Sequence, residues 1–189
     1  MAKLDFKPGT MIYPLPAVMV SCGETPEEYN IITIAWTGTI CSDPPMCYIS
    51  VRPGRHSYDI IKRRGEFVIN LTTEELARAT DWCGCRTGRK FNKWKEMNLT
   101  PIAAKKVKAP AIAEAPVNIK CVVKQVIPLG THDMFVAEVV NIMADDEFIN
   151  EKGAFSLAKA KPLVYNHGHY FALGRKIGKF GWSVEKKRK

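Results

Sequence analysis

Seven short runs rich in Val, Ile, Phe and Tyr recur between residues 17 and 174, each closed off by turn-forming residues. They are AVMVSC (17–22), IITIAWTG (31–38), MCYISV (46–51), EFVINL (66–71), VNIKCVVKQVIPLG (117–130), DMFVAEVVNIMA (133–144) and HYFALG (169–174). Runs of this length and make-up predict many antiparallel strands. The stretch IKCVVKQVI mixes apolar and cationic positions, as a strand with one wet face would.

Helical signals are fewer and lie in the middle of the chain. HSYDIIKRRG offers Ser57 as a cap, Ile60 and Ile61 as an apolar face, a cationic last turn and Gly65 as a stop. TTEELARATDWCG starts at Thr72 or Thr73 with acidic residues in its first turn, where the helix dipole favours them. KFNKWKEMN places Phe91, Trp94 and Met97 three apart, as an amphipathic helix would. Strands with two or three inserted helices predict a mainly β chain, a small barrel with helical additions. With 189 residues and no repeat or linker, a single domain is expected across 1–189, ending in a basic tail at 184–189.

Cys47 and Cys121 sit within apolar runs and read as small core residues. No apolar run is long enough to span a bilayer, and MAKLDFKPG has no apolar stretch behind its first lysine. The expectation is a cytoplasmic protein with no membrane contact and reduced cysteines. The formal net charge is +9, of which EKKRK at the end supplies +3. The remainder implies an anionic partner: a nucleotide, a phosphate or a nucleic acid.

The segment TDWCGCRTGRKFNKW (80–94) concentrates cations, aromatics and two cysteines. Cys83 and Cys85 are one residue apart, too close for a zinc pair and without two further ligands nearby, so no metal is expected. The spacing is not that of a Cys-x-x-Cys dithiol either, which makes redox work by these thiols secondary. Phe91 and Trp94 fall at helical spacing and read as core contacts before base-stacking platforms. An anion loop fits best. CGCRTGRK supplies glycines for close backbone approach, the Thr87 hydroxyl and the Arg89 fork, with Lys93 one turn further on. A second such turn follows residue 49: Ser50, Arg52, Arg55, His56 and Ser57 collect at a helix entrance. For Arg55 alone, a solvated turn residue is the simpler reading.

N-x-x-T-x-A-W (Asn30, Thr33, Ala35, Trp36), PPM-x-Y-x-SVRP-x-R-x-S-Y, GEFVINL, CG-x-x-[ST]GRK and LTP stand in the same order as in a known family. GTHDMFVAEVV and KPLVYNHGHYFALG extend the likeness from roughly residue 10 to 182. The chain resembles the flavin-reductase-like, FMN-binding split-barrel proteins, and their flavoredoxin branch in particular. Two departures stand out: TGRK where an acid commonly follows the arginine, and THD where the family shows Gly-Asp-His.

The resemblance implies a mainly β fold with inserted helices, an FMN-binding split β-barrel of Greek-key type, and a homodimer with FMN near the interface. Asn30, Thr33, Ala35, Trp36 and Thr37 would lie along the flavin, and Ser50, Val51 and Arg52 beside it. His56, Ser57, Thr87, Gly88, Arg89 and Lys93 would surround the phosphate. His132 would stand by the open face of the ring, where donor or acceptor arrives, and is the candidate catalytic residue. The implied activity is an FMN-dependent oxidoreductase of the NAD(P)H:flavin or ferric reductase type, with a small-molecule or protein electron donor and acceptor. An FMN electron carrier without catalysis is the alternative, and a basic nucleic-acid-binding barrel a more distant one.

Overall fold

The structure, a computed structural model, describes residues 1–185; the end of the basic tail expected at 184–189 lies outside them. Twelve strands are present among the described residues. They are β1 (Leu15–Pro16), β2 (Val18–Cys22), β3 (Asn30–Ile34), β4 (Thr37–Ser42), β5 (Pro45–Val51) and β6 (Glu66–Leu71), then β7 (Pro101–Ile102), β8 (Ala111–Ile112), β9 (Val117–Pro128), β10 (Asp133–Ala144), β11 (Leu163–Asn166) and β12 (His169–Ala172). The helices are α1 (His56–Arg64), α2 (Ala77–Cys85) and α3 (Lys93–Glu96). No helix among the described residues is long and apolar enough to cross a membrane.

Seven strands form one antiparallel sheet in the order β3-β2-β6-β9-β10-β5-β4. Its two edges, β3 and β4, are neighbours in sequence with only Ala35 and Trp36 between them. The sheet must therefore curl until its edges meet, and Ser50 N–H donates to the Trp36 carbonyl (2.9 Å), carrying the β4–β5 ladder up to the corner between them. Register shifts in the β9–β10 and β4–β5 ladders supply the coiling that closure needs. The run read as one strand at 31–38 is thus two strands on opposite edges. The break falls at Ala35-Trp36, which hydropathy does not mark.

Alternation on β2 explains what packs where. Val18, Val20 and Cys22 face the barrel interior with Phe67, Ile49 and Phe135, and Ile61 of α1 closes that core. Met19 faces the other way, against Ile31, Cys83, Trp94 and Ile112, so both faces of β2 are dry. Cys47 and Cys121 lie in the interior, their sulfurs 3.5 Å apart.

The wet face expected along β9 is only half present. Asn118 and Lys120 are buried, because Val107, Ala109 and Ala111 cross that part of the sheet; Lys124 and Gln125 beyond them are exposed. Asn70 pins the covering segment. Its Oδ1 accepts from Ile112 N–H (3.0 Å) and from Asn118 Nδ2 (2.9 Å).

Three helix expectations change. Ser57 is no cap: α1 starts one residue earlier, at His56, and Ser57 is buried inside it. Gly65 stops the helix as expected, at φ 69° with its N–H on the Ile61 carbonyl. The second helix begins at Ala77, since Thr72 and Thr73 are held in extended chain by bonds to Leu163 and Pro162. The third is a single turn with Asn92 as its cap, so Phe91 lies outside it, half-exposed and edge-on to Trp82.

Candidate functional site

The seam between β3 and β4 opens into two joined cavities, of about 500 and about 330 Å3. Ile32, Arg55 and Gly84 line both, which makes them one continuous slot. The larger is walled by β3, the Ala35-Trp36 corner, the end of β5, α2 and the β11–β12 hairpin. The smaller lies between the start of α1 and the 86–90 loop.

Of the fifteen residues singled out in the sequence, fourteen line this slot. Thr33, Ala35, Trp36, Ser50, Val51, Arg52 and His132 line the larger cavity. Asn30, His56, Ser57, Thr87, Gly88, Arg89 and Lys93 line the smaller. Thr37 belongs to neither wall: it is buried, and its hydroxyl donates to the Tyr48 carbonyl (2.7 Å), fastening the β4–β5 hairpin.

The smaller cavity is an anion site by its chemistry. Arg55, His56, Arg86, Arg89, Lys90 and Lys93 line it, and no carboxylate does. Ser57 Oγ accepts from Asn30 Nδ2 (2.7 Å), which fixes both side chains. Gly88 is required by close approach. A Cβ there would lie 2.2 Å from Asn30 Oδ1 and 2.8 Å from His56 Cδ2. Arg89 Nη1 reaches back to the Gly54 carbonyl (3.3 Å), tying the loop to the entrance of α1. Burial, then Arg89 and Lys93, holds His56 below the ordinary imidazole value, the mark of a positive field.

Lys93 lines the smaller cavity but turns its ammonium to the main chain. It is buried and not on an exposed segment, and its ammonium donates to the carbonyls of Ile31 (2.7 Å) and Cys83 (2.6 Å). It therefore bolts β3 to the end of α2 and adds charge behind the cavity wall. Burial pushes it down to about 8.

The larger cavity suits a flat ring with polar edges. β3 is a sheet edge, and its Ile31 carbonyl points away from β2, toward Lys93. Alternation along an antiparallel edge turns the N–H and C=O of Thr33 the same way, so main-chain donors and acceptors stand free along the slot. The Thr33 hydroxyl is taken by the Thr80 carbonyl. On the far wall, Trp36 and His132 stand nearly parallel, 12° apart with centroids at 6.1 Å. His132 Nε2 accepts from Arg52 Nε (3.4 Å), and Nδ1 bonds the Thr131 hydroxyl (3.0 Å). Burial, Arg52 and Arg55 lower the His132 pKa, so at pH 7 the imidazole is neutral and free to accept from Arg52.

Sequence reasoning missed four parts of this wall. Gly84 lets α2 press on β3; an added Cβ would meet Thr33 Cβ at 3.2 Å. Tyr170 and Asp81 close one end, the phenol donating to the Asp81 carboxylate (3.3 Å). Arg55, set aside as a turn residue, faces both cavities. Arg55 and Gly84 carried local signals, their places in the SVRPGRHS turn and the CGCRTGRK loop; Tyr170 and Asp81 meet the site through tertiary packing.

This slot, on this barrel, defines a flavin-related oxidoreductase. The flavin reductase like domain family matches residues 10–174, and the chain belongs to that family, on its flavoredoxin branch. Among its relatives, an uncharacterised protein of Archaeoglobus fulgidus is 31% identical over 141 residues, 75% of this chain and 78% of that one. Flavoredoxin of Desulfovibrio vulgaris (Miyazaki F) superposes with a TM-score of 0.90 at 26% identity, covering 97% of this chain and 100% of its own. The FMN-binding protein of Thermus thermophilus shares the fold, with a TM-score of 0.78 at 21% identity over 95% of this chain and 98% of its own.

Proposed function

We propose that this chain binds FMN, with the phosphate in the smaller cavity and the ring in the larger, and works as an FMN-dependent oxidoreductase. It moves hydride or electrons from a reduced donor such as NAD(P)H to flavin, ferric iron or another acceptor. The observation that carries this reading is the asymmetry of one continuous slot: cations and no carboxylate at one end, an aromatic and main-chain wall at the other. A phosphate dianion calls for the first and a flat heterocycle for the second. The likeness to the FMN-binding protein of Thermus thermophilus supports the choice of flavin.

Bound FMN supplies the two-electron chemistry. The residues bind and orient. Arg55, Arg89 and His56 hold the phosphate, with Gly88 allowing the loop backbone close. The Thr33 backbone and Ser50 would meet the ring edges, and Trp36 would cover a face. Arg52 and Arg55 line the larger cavity and would add positive charge beside the ring, which would favour its reduced form. His132, neutral, keeps its proton on Nδ1 while Nε2 accepts from Arg52, and stands beside the approach of donor or acceptor.

The protein acts as a homodimer in this reading. Phe171, Leu173, Ile177, Phe180 and Trp182 are all exposed along the C-terminal segment, an apolar strip that a second copy would cover.

The visible spectrum of the purified protein tests the cofactor, followed by titration of the flavin-free protein with FMN. A colourless protein that does not take up FMN would overturn the proposal. Mixing the loaded protein with NADH or NADPH then tests catalysis. Rapid bleaching supports a reductase; a flavin bleached by dithionite and untouched by both nicotinamides makes the chain an electron carrier.

A further inference from the structure

The larger cavity holds a cation that the phosphate end does not use. Arg52 lines the larger cavity and not the smaller one. It is in no ion pair among the described residues, and its one side-chain bond there runs from Nε to His132 Nε2. Both terminal nitrogens of its fork are therefore free. Arg55, at the start of α1, likewise forms no ion pair among the described residues. The acid of the same cavity, Asp81, is on the opposite wall and already accepts from Tyr170.

Next to Arg52 stand two nearly parallel flat groups, Trp36 and His132, and Trp36 is 37% exposed. An unpaired guanidinium beside an aromatic wall recognises a flat molecule that carries a negative charge. The wall gains contact with the ring, and the fork takes a carboxylate with two parallel bonds. His132 helps by fixing the fork. Its Nε2 accepts from Nε and leaves the two terminal nitrogens for the ligand.

We propose that the mouth of the larger cavity, at Arg52, His132 and Trp36, is a subsite for a small aromatic or heteroaromatic carboxylate. The inference rests on the flavin reading in that such a ligand would share the cavity with the ring.

The test compares benzoate with benzamide, equal in shape and different in charge, by calorimetry on the protein with and without FMN. Benzoate should bind tenfold or more tightly than benzamide. Arg52→Gln should bring benzoate down to the level of benzamide and leave benzamide unchanged, and Arg52→Lys should restore part of the difference. Equal binding of the two ligands, or a preference for benzoate that survives Arg52→Gln in a folded protein, would overturn the subsite. A protein that takes up FMN and does not discriminate overturns this inference alone. A protein that takes up no FMN overturns the proposed function, and the benzoate preference of its flavin-free cavity still decides the subsite.

Discussion

Single residues set the limits of the cradle. Gly88 has no room for a methyl group between Asn30 and His56. Gly88→Ala should push the loop outward at a cost of about 1–3 kcal/mol, and flavin titration should show the FMN Kd rising about tenfold or more. Arg89→Ala removes an exposed cation and its bond to the Gly54 carbonyl. A charged hydrogen bond is worth about 1.5–3 kcal/mol, so the Kd should rise on the order of 10- to 100-fold with the thermal midpoint nearly unchanged. Lys93 makes a pH prediction. Its folded pKa of about 8 is below the ordinary 10.5, so between these values the unfolded chain binds more protons. Stability therefore rises with pH across that window as the cost of burying the charge is relieved. Arg55 pushes the ammonium the same way as burial, while the Cys83, Cys22 and Cys85 thiols oppose it. Buried Cys22 and Cys83, pushed above the ordinary thiol value, act in the opposite sense above pH 9, so Lys93 is read as a difference: from pH 8 to 10.5 the urea midpoint of the native protein should gain on that of Lys93→Met.

At the scale of elements, α1 and the β11–β12 hairpin are each fastened at a single point, one away from the site and one beside it. Gly65 lies at φ 69° with nothing within 4 Å of a Cβ, so an alanine there meets strain and no clash. Gly65→Ala should lower unfolding free energy by about 1–2 kcal/mol and leave FMN affinity alone, because the opposite end of α1 faces the cavity. The hairpin is fastened near the site by Tyr170 on Asp81. Burial and the Asp81 carboxylate push the phenol up to about 12, so the bond persists throughout the neutral range. Tyr170→Phe removes the bond and keeps the ring; about 1 kcal/mol of stability should go with it, together with faster hydrogen exchange in β11 and β12. Unaltered exchange there would mean the bond does not hold the hairpin. These elements also show where local pattern falls short. Thr72 and Thr73 carry helix-start chemistry, and the chain at 162–163 claims them for extended pairing instead.

The whole molecule hangs on a barrel whose edges meet at the site. Phe67, fully buried among Ile49, Phe135 and Val20, is central to that core. Phe67→Ala should cost about 3–5 kcal/mol, enough to lower flavin content and solubility together, and a protein that melts like the native one would place the core elsewhere. Assembly is testable by sedimentation. The native chain should run as a dimer, and Phe180→Asp with Trp182→Asp should shift it to monomer, since two charges in a covered apolar strip would be buried without partners. A monomeric native chain would remove the strip from the interface.

The sequence by itself determined most strands, the stop of α1 at Gly65 and the two cation-bearing turns of the smaller cavity, because period-two burial, glycine conformation and clustered cations are local properties; most residues of the larger cavity came only through the resemblance to the family. GEFVINL and DMFVAEVVNIMA became β6 and β10 with little loss. Tertiary structure alone decided that Ala35-Trp36 would split one apolar run between two sheet edges, that Lys120 and Lys93 would be covered, and that Tyr170 and Asp81 would join the wall. Docking of the β11–β12 hairpin beside α2 brings Tyr170 to Asp81, 89 positions apart. Burial of a lysine likewise depends on which distant segment crosses it, and no window of neighbours along the chain holds that information.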